Sequence, residues 1–246
     1  MVVDCFTFYN ELDMLEFRLG YLNDSVDKFV LVESTKTHAG NDKPLFFEEN
    51  KERFSEFLDK IVHVICEMPE TNDSWVRERH QRAKISEGIE SLDMQDEDVV
   101  FVSDVDEIWD KGVLDRMFHY AHSLEQDFYF YNVETKQPNK WYHAKVCKYD
   151  FLKHLDSADQ IRMMSFPALD KGGWHFSYFG DEEFISNKIK NFAHQEYNSE
   201  TFTDAQSIRD KVEAKKDLFE NSGTILSYIK VEDNEYLPEN IQTLIN

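Results

Sequence analysis

Apolar runs alternate with helix-like segments through the first half of the chain, and this alternation most narrows the folds that it can adopt. Strand-like runs occupy residues 2–8, 29–33, 60–66 and 99–102. Apolar residues recur at helical spacing in residues 11–22, 48–58 and 73–92. Strands separated by such helices predict right-handed βαβ units, and continuous apolar runs predict strands that are covered on both faces. We therefore expect an α/β fold with a mostly parallel central sheet and helices on both faces.

The second half of the chain is less regular. Its pattern predicts helices at residues 112–124, 181–192 and 204–219 and a strand at residues 128–133. A polar loop with aromatic residues, at 136–145, lies between the two halves. Since no internal repeat and no low-complexity linker divides the chain, we expect a single domain over residues 1–246.

The chain is strongly acidic, with 49 Asp and Glu residues against 27 Lys and Arg residues and a net charge of −22. This charge argues against nucleic acids and anionic membranes as partners, because both bind basic surfaces. No run reaches the ~18 apolar residues of a membrane span. The first residues also lack the features of a signal peptide, so the expected location is cytoplasmic.

The three cysteines, Cys5, Cys66 and Cys147, are far apart and form no C-x-x-C pair. This spacing predicts neither a zinc site nor a disulfide framework. Cys5 and Cys66 lie within apolar runs, where we expect buried and unreactive thiols.

Two aspartates follow the fourth apolar run directly. Asp104 and Asp106 would lie at the carboxyl end of a buried parallel strand, the edge at which open α/β sheets bind ligands. Two carboxylates there need a counter-charge, and hard divalent cations prefer oxygen ligands. A bound Mn²⁺ or Mg²⁺ would in turn hold a diphosphate, which is the D-x-D logic of nucleotide-sugar transferases. The alternative is a solvated acidic turn.

A second candidate segment runs from Gly172 to Gly180 and contains Trp174, His175 and Tyr178. The double glycine permits close approach of another backbone, and an exposed indole stacks well on the face of a sugar. We assign Trp174 and Tyr178 to acceptor binding and His175 to the metal or a phosphate. The alternative is a buried strand with a hydrogen-bonded core histidine.

A third candidate is a basic cluster on the first turns of a helix that Asp73 or Ser74 can cap. Its members are Arg77, Arg79, His80 and Arg82. Arginines near a helix N-terminus suit phosphate binding, so we assign Arg77 and Arg82 to a nucleotide sugar. The alternative is ion pairing with neighbouring glutamates.

Five segments of the chain, taken in order, resemble glycosyltransferase family 17. They read FYNELDMLE at residues 8–16, FVLVES at 29–34, DVDEI at 104–108, GGWHFS at 172–177 and FAHQEYN at 192–198. The resemblance implies a GT-A-like fold, a UDP-sugar donor with N-acetylglucosamine as the sugar, and transfer with inversion at the anomeric carbon. It also implies that Asp104 and Asp106 hold the metal and the diphosphate and that Glu33 lies near the nucleotide.

This resemblance assigns roles to the two halves of the chain. Residues 1–135 would bind the nucleotide sugar, and residues 136–246 would form the acceptor half and the C-terminal helices. The expected nucleotide-sugar-binding residues are Asn10, Glu33, Arg77, Arg82 and Asp104. Animal members of the family carry a membrane anchor and a stem, whereas this chain begins almost on its first strand, so we expect a microbial or viral enzyme.

Inversion requires a general base that accepts the proton of the acceptor hydroxyl. The acidic cluster nearest in sequence to Trp174 is Asp181-Glu182-Glu183, at the start of a predicted helix. Successive helical residues point about 100° apart, so at most one of the three faces the sugar. We expect Glu183 first, then Glu182 and then Asp181. The alternative is that these residues only complement the helix dipole.

Two other classes of protein stay open. A nucleotidyltransferase acting on sugar phosphates would usually carry a glycine-rich basic loop after the first strand, where this chain has Phe8-Tyr9-Asn10-Glu11. A non-catalytic sugar-binding module would use aromatic platforms such as Trp141, Tyr142 and Trp174. Such a module has no need for two aspartates at a sheet edge.

Overall fold

The computed structural model describes residues 1–116, 120–219 and 224–244. Its strands are β1 (Val2–Phe8), β2 (Lys28–Ser34), β3 (Ile61–Cys66), β4 (Val99–Asp104), β5 (Glu107–Trp109), β6 (Ala121–Phe130), β7 (Thr135–Lys136), β8 (Lys145–Lys148), β9 (Ala168–Ser177) and β10 (Ser227–Tyr228). Its α-helices are α1 (Leu12–Leu22), α2 (Phe46–Glu49), α3 (Ser74–Ala83), α4 (Ile85–Glu90), α5 (Tyr149–Leu152), α6 (Ala158–Met163), α7 (Glu182–Asn191), α8 (Glu200–Thr203) and α9 (Ala205–Glu213). Short 3-10 helices lie at Lys51–Phe57, Lys111–Asp115, Gln195–Tyr197, Val231–Asp233 and Ile241–Leu244.

One sheet contains all of these strands. Strands β3, β2, β1 and β4 lie side by side in that order and are parallel, as βαβ units require. Beyond β4 the sheet continues through β8, β6, β7 and β10 by antiparallel pairings. Strand β9 runs parallel to β6, and β5 pairs antiparallel with β9. The predicted α/β class with its largely parallel sheet is confirmed, and the antiparallel pairings of the second half are an addition to it.

Helices cover both faces of the parallel strands, as the continuous apolar runs predict. On one face Phe6 packs in a cluster with Leu15 of α1. On the other face Cys5 packs in a cluster with Ile89 of α4 and Ile161 of α6. Neighbouring residues of a strand point to opposite faces, so a strand covered on both sides needs an apolar residue at nearly every position.

All three cysteines are free and buried. Burial raises the pKa of each thiol above its ordinary value. The predicted burial of Cys5 and Cys66 is confirmed.

The helix predicted at residues 112–124 is wrong. A 3-10 helix ends at Asp115, residues 117–119 lie outside the described part, and Ala121 begins β6. Strand β6 pairs with β8 and with β9, so backbone hydrogen bonds to two neighbours override the local helical spacing. The strand predicted at 128–133 is the end of β6, which stops at Phe130 where Tyr131 adopts a left-handed backbone with φ of 69°.

The other predicted helices are present with altered bounds. Asp73 caps α3 by accepting hydrogen bonds from two backbone N–H groups, as expected, and the segment 73–92 is divided between α3 and α4. The helix at 181–192 is confirmed as α7, whereas the one at 204–219 ends at Glu213. The segment 48–58 is mostly a 3-10 helix. None of the helices in the described ranges is long and apolar enough to cross a bilayer, and the cytoplasmic location itself stays a prediction.

A buried ion pair ties α1 to β1. Arg18 and Asp4 are both fully buried, and the two hydrogen bonds between them are 2.7 and 2.8 Å long. Further N–H groups of Arg18 donate to the carbonyl oxygens of Asp104, Val105 and Glu107 and to Ser103 Oγ. These bonds offset the desolvation of a buried guanidinium. Arg18 therefore fixes the path of the chain just after β4.

Arg18→Met should lower the free energy of unfolding by about 3–5 kcal/mol, because it leaves the Asp4 carboxylate buried without its cation. Denaturant titration followed by circular dichroism measures the loss. Arg53→Met is the matched control, since Arg53 pairs with Asp13 and Glu16 at the surface and its loss should cost at most about 1 kcal/mol. Equal losses in the two variants would contradict the role given to the buried pair.

Candidate active site

A cleft of about 630 Å³ opens at the carboxyl ends of β1, β2 and β4. Its lining includes Phe8, Ser34 and Asp104, which are the last residues of these three strands. Helices α3 and α7 contribute Arg82 and Lys188 to the walls. The cleft therefore occupies the edge at which open α/β sheets bind their ligands.

The four-residue turn that begins at Asp104 carries three carboxylates, and its backbone is held from two sides. Arg18 donates to three of its carbonyl oxygens. The carbonyl oxygen of Asp106 accepts a 2.8 Å hydrogen bond from the backbone N–H of Phe176 on β9. Val105, between the two aspartates, is only 3% exposed and belongs to the core. A fixed backbone thus sets the two aspartates in the cleft.

Two arginines bind Asp104. Its Oδ1 accepts from Arg82 Nη2 at 2.8 Å and from Thr7 Oγ1 at 3.0 Å, and its Oδ2 accepts from Arg162 Nη2 at 2.7 Å. Burial alone would raise the pKa of this carboxyl, but Arg162 and Arg82 hold it well below its ordinary value. The side chain is still 31% exposed, so Asp104 is an anion that the cleft presents to a ligand.

Glu107 is fully buried behind this pair. Both of its oxygens accept hydrogen bonds from Arg162, at 2.6 and 2.7 Å. One also accepts from Trp141 Nε1 at 2.5 Å, and the other from the backbone N–H of Asp104 at 3.0 Å. Burial raises the pKa of Glu107, but the Arg162 guanidinium outweighs it and holds the carboxyl ionised. Glu107 thereby orients Arg162 and Trp141 toward the cleft.

Lys188 lies between two carboxylates. Its Nζ donates to Asp106 Oδ2 at 2.8 Å and lies 3.1 Å from Glu11 Oε1. Burial alone would lower the pKa of Lys188, but Asp106 and Glu11 hold it above its ordinary value. Burial would likewise raise the pKa of Asp106, yet Lys188 and His175 hold it well below its ordinary value. Lys188 and Asp106 are therefore both charged at neutral pH.

His175 lies beside Asp106 among aromatic rings. Its Nε2 is 3.6 Å from Asp106 Oδ1. Its ring stacks on Phe128 with centroids 4.6 Å apart and contacts Trp141 at 4.5 Å. The Nδ1 atom is buried without a protein hydrogen-bond partner, which is the kind of polar atom that a ligand or a water molecule satisfies.

Two glycines let β9 bring His175 to this place. A Cβ at Gly173, whose φ is 127°, would lie 2.1 Å from the carbonyl oxygen of Ile108 on β5. A Cβ at Gly172 would lie 2.8 Å from Leu124 Cβ on β6. A larger residue at either position would push β9 away from its neighbours and move His175 with it.

Charged side chains in the cleft leave a small excess of acid. The acidic ones are Glu11, Glu78, Asp104, Asp106 and Asp159, and the basic ones are Arg79, Arg82, Arg162 and Lys188. A diphosphate would add negative charge, so a divalent cation fits the electrostatics of the site. Within the described ranges, no cluster of three or more His, Cys, Asp or Glu side chains could hold a metal ion. Mn²⁺ or Mg²⁺ would fit here by using one or two carboxylates with phosphate oxygens and water, the usual coordination of Mg²⁺.

Comparison with known proteins identifies the family. A model described as Glycosyltransferase family 17 matches residues 1–232. The chain belongs to glycosyltransferase family 17. The resemblance inferred from the five sequence segments is confirmed, and with it the glycosyltransferase class.

The curated relatives carry a more specific name. The rat and human proteins named β-1,4-mannosyl-glycoprotein 4-β-N-acetylglucosaminyltransferase are each 27% identical to this chain over 180 residues. These matches cover 66% of this chain and 32% and 33% of the relatives, so the chain spans about a third of their length. Among solved structures, the inositol-1-phosphate CTP transferase from T. maritima matches with a TM-score of 0.38 and 11% identity, over 72% of this chain and 89% of that one.

Two of the five expected nucleotide-sugar residues line the family 17 cleft, namely Arg82 and Asp104. Arg77 is turned elsewhere, and its guanidinium donates to the carbonyl oxygens of His38 and Thr71. The two arginines are five residues apart on one helix, which places them about 140° apart around its axis. Arg77 therefore anchors a loop against α3 and does not reach the cleft.

Glu33 and Asn10 are also absent from the lining of the cleft. Glu33 is fully buried and accepts a 3.0 Å hydrogen bond from the backbone N–H of Phe47. It points away because strand residues alternate, and the next residue, Ser34, faces the cleft. This position does not support the expected contact of Glu33 with the nucleotide. Asn10 has a buried Oδ1 without a protein hydrogen-bond partner.

The structure places Trp174 outside the cleft. Its side chain is 1% exposed, and its Nε1 donates to the carbonyl oxygen of Tyr236 at 3.1 Å. Residues of a strand alternate, so Trp174 faces the core while His175 faces the cleft. This burial is incompatible with the predicted stacking of Trp174 on a sugar. Two other indoles, those of Trp75 and Trp141, line the cleft, and Tyr178 lines it as expected.

The three candidate bases also lie outside the cleft lining. Asp181 caps α7 by accepting from the backbone N–H of Phe184, and Glu182 forms an ion pair with Arg209. Glu183 is exposed. These contacts agree with the alternative in which acidic residues complement a helix start.

Arg162, Lys188 and Asp159 line the cleft but were not predicted from the sequence. Arg162 and Asp159 lie on a six-residue helix that is too short to produce a helical pattern. The partners of Arg162 are 55 and 58 residues away along the chain, so no local signal marks the pair. Lys188 lies next to Ile189 on the buried side of the predicted helix α7. A lysine beside a buried position of that helix was the sequence feature that could have pointed to it.

Arg162→Met should lower the free energy of unfolding by about 3–5 kcal/mol, because Glu107 loses its buried cation. The double variant with Glu107→Gln should lose about 0.5–3 kcal/mol less than the sum of the single losses. Denaturant titration of the four proteins gives this coupling. Arg116→Met, which removes an exposed pair with Asp170, should show little loss, and strict additivity at Arg162 and Glu107 would contradict the pairing.

Proposed function

We propose that this chain transfers N-acetylglucosamine from UDP-N-acetylglucosamine to a glycan acceptor, with a divalent metal ion and with inversion at the anomeric carbon. One observation carries most of the proposal. A family 17 chain has a cleft at the carboxyl edge of its parallel strands, and Asp104 and Asp106 line that cleft. The names of the relatives support N-acetylglucosamine as the first choice of sugar.

Asp104 and Asp106 are the residues that would hold Mn²⁺ or Mg²⁺, with His175 beside Asp106. Both carboxylates are ionised, because neighbouring cations keep their pKa values low. Bound there, the ion would act as a Lewis acid toward the diphosphate of the donor.

The chain's own cations would bind the same diphosphate. Arg82, Arg162 and Lys188 line the cleft and are hydrogen-bonded to its two aspartates. Guanidinium groups match the geometry of phosphate oxygens. As the bond between sugar and phosphate breaks, negative charge grows on the diphosphate, and cations already fixed in place stabilise that charge.

Aromatic residues would bind the sugar. Trp141 lines the cleft, and its Nε1 is held by Glu107, so the orientation of the indole is fixed. An indole face stacks well on a sugar ring. We give Trp141 the role that the sequence suggested for Trp174, and Tyr178 keeps its role as an acceptor contact.

Asp159 is the general base in this proposal. It lines the cleft from the first turn of α6, and its side chain is 14% exposed. Arg82 Nη1 lies 3.8 Å from it, farther than the cations that bind Asp104 and Asp106. Burial raises the pKa of Asp159 above its ordinary value, which favours uptake of a proton. Glu183 is the second choice, because it is exposed outside the cleft lining.

UDP-N-acetylglucosamine with Mn²⁺ should raise the melting temperature, because a ligand of the folded state stabilises it by about 2.7 kcal/mol at 100 times its Kd. The shift should need both components and should disappear in Asp106→Asn. Asp170→Asn, at an exposed aspartate, is the control and should keep the shift. A shift that survives EDTA would contradict the metal, and a shift with GDP- or CMP-sugars alone would contradict the donor. Pyrophosphate release from a nucleoside triphosphate and a sugar phosphate would identify a nucleotidyltransferase instead.

Asp159→Asn should lower the transfer rate by roughly 10²–10⁴, the usual contribution of a general base, while the donor still shifts the melting temperature. Glu183→Gln is the matched comparison and should transfer sugar at the rate of the unmodified chain. Radiolabelled sugar transfer gives both rates. The reverse result would make Glu183 the base, and a product with retained anomeric configuration by NMR would contradict a single-base mechanism.

A further inference from the structure

A second cavity, of about 380 Å³, adjoins the cleft. The two spaces share three wall residues, which are His143, Arg162 and Met163. From there the second cavity extends along β8 and the segment after α6, where Lys145 and Ser165 line it. A ligand in this cavity would therefore lie next to the cleft and across Arg162 from it.

The charged side chains that line the second cavity are basic, and one of them, Arg162, is already paired with Asp104 and Glu107. The described lining of this cavity includes Lys145, Arg162 and His143 and contains no Asp or Glu. The whole chain has a net charge of −22, and five carboxylates line the neighbouring cleft. A concave surface that gathers basic side chains attracts anions.

Lys145 is the buried cation of this cavity. It is 3% exposed, and its Nζ donates to the carbonyl oxygen of Tyr142. In the described part of the chain, no ion pair joins it to a carboxylate, although buried lysines are usually paired. Burial and the nearby Arg162 lower the pKa of Lys145 to about 8, although the Glu107 carboxylate acts in the opposite direction. Glu107 is itself hydrogen-bonded to Arg162, so a bound anion would stabilise the charged form of Lys145.

Apolar side chains form part of the cavity wall. Tyr142, Met163 and Met164 line it and are 43%, 76% and 39% exposed. A tyrosine ring suits the apolar face of a sugar, and the two exposed methionines offer further apolar contacts. The cavity thus combines a surface for a sugar ring with a buried charge for an acidic substituent.

We propose that the second cavity is an acceptor subsite that binds an oxyanion, a carboxylate or a phosphate, carried by the acceptor sugar. Lys145 supplies the counter-charge, and Tyr142 and the two methionines contact the ring. The assignment to the acceptor rests on the proposed transferase function, whereas the anion site stands on its own lining. Because Arg162 and Asp159 share helix α6, an acceptor in this cavity would lie beside the proposed base.

Saturation-transfer NMR titrations test the site with three probes, namely methyl β-D-glucuronide, glucose 6-phosphate and methyl β-D-glucoside. The two anionic sugars should bind at least tenfold more tightly than the neutral one, and their order shows whether a carboxylate or a phosphate is preferred. Lys145→Met should weaken binding of the anions at least tenfold. Lys148→Met is the matched control on the same strand, since its ammonium pairs with Glu97 outside the cavity, and it should bind like the unmodified chain.

Ser165→Asp is a second test of the site that does not depend on the folding of Lys145→Met. It places an acid at an exposed lining position and should also weaken anion binding at least tenfold, with melting temperatures reporting the fold of each variant. Any of three results would overturn the inference. The neutral glucoside binds as tightly as the anionic sugars, both variants bind the anions as tightly as the unmodified chain, or UDP displaces the anions. Hydrolysis of UDP-N-acetylglucosamine by the unmodified chain is measured separately. If the chain hydrolyses the donor but does not bind the anions, only the proposed subsite is wrong. If it binds the anions but does not hydrolyse the donor, the anion site is supported and the proposed transferase function is wrong.

Discussion

The guanidinium of Arg18 holds the turn that carries the carboxylates of the cleft. It is fully buried, bonded to Asp4 on one side and to three carbonyl oxygens of the turn on the other. These hydrogen bonds fix the backbone of the turn, so the fold itself positions Asp104 and Asp106. The acidic pair is therefore anchored to the core of the parallel sheet, and a site built on such an element is more precise than one built on a surface loop.

The cations that face this pair come from elsewhere in the chain. Arg82 belongs to the first half, while Arg162 and Lys188 follow β8 and β9. Each of them binds Asp104 or Asp106, so the charged constellation exists only when both halves have joined one sheet. Removing one cation would leave a carboxylate partly buried and unpaired, which is costly, so the groups stabilise one another as a set.

What the sequence could predict follows from which interactions are local. The parallel half was predictable because strands covered on both faces need continuous apolar runs, and the place of Asp104 at a strand end follows from its position after such a run. The side of β9 on which Trp174 lies was not predictable, because a shift of one residue in strand register reverses the side to which a side chain points. The role of Arg162 could not be predicted because its partners are distant in sequence. Strand β6 was hidden because two neighbouring strands override the helical spacing of its first residues.

The burial of Cys5, Cys66 and Cys147 has a practical consequence. Thiol reagents attack the exposed thiolate, and here every native thiol is enclosed in the interior with a raised pKa. A single cysteine introduced at the rim of either cavity would therefore react selectively. A fluorophore or spin label could be attached there without first removing any native cysteine, so the opening of each cavity could be followed in the otherwise unaltered chain.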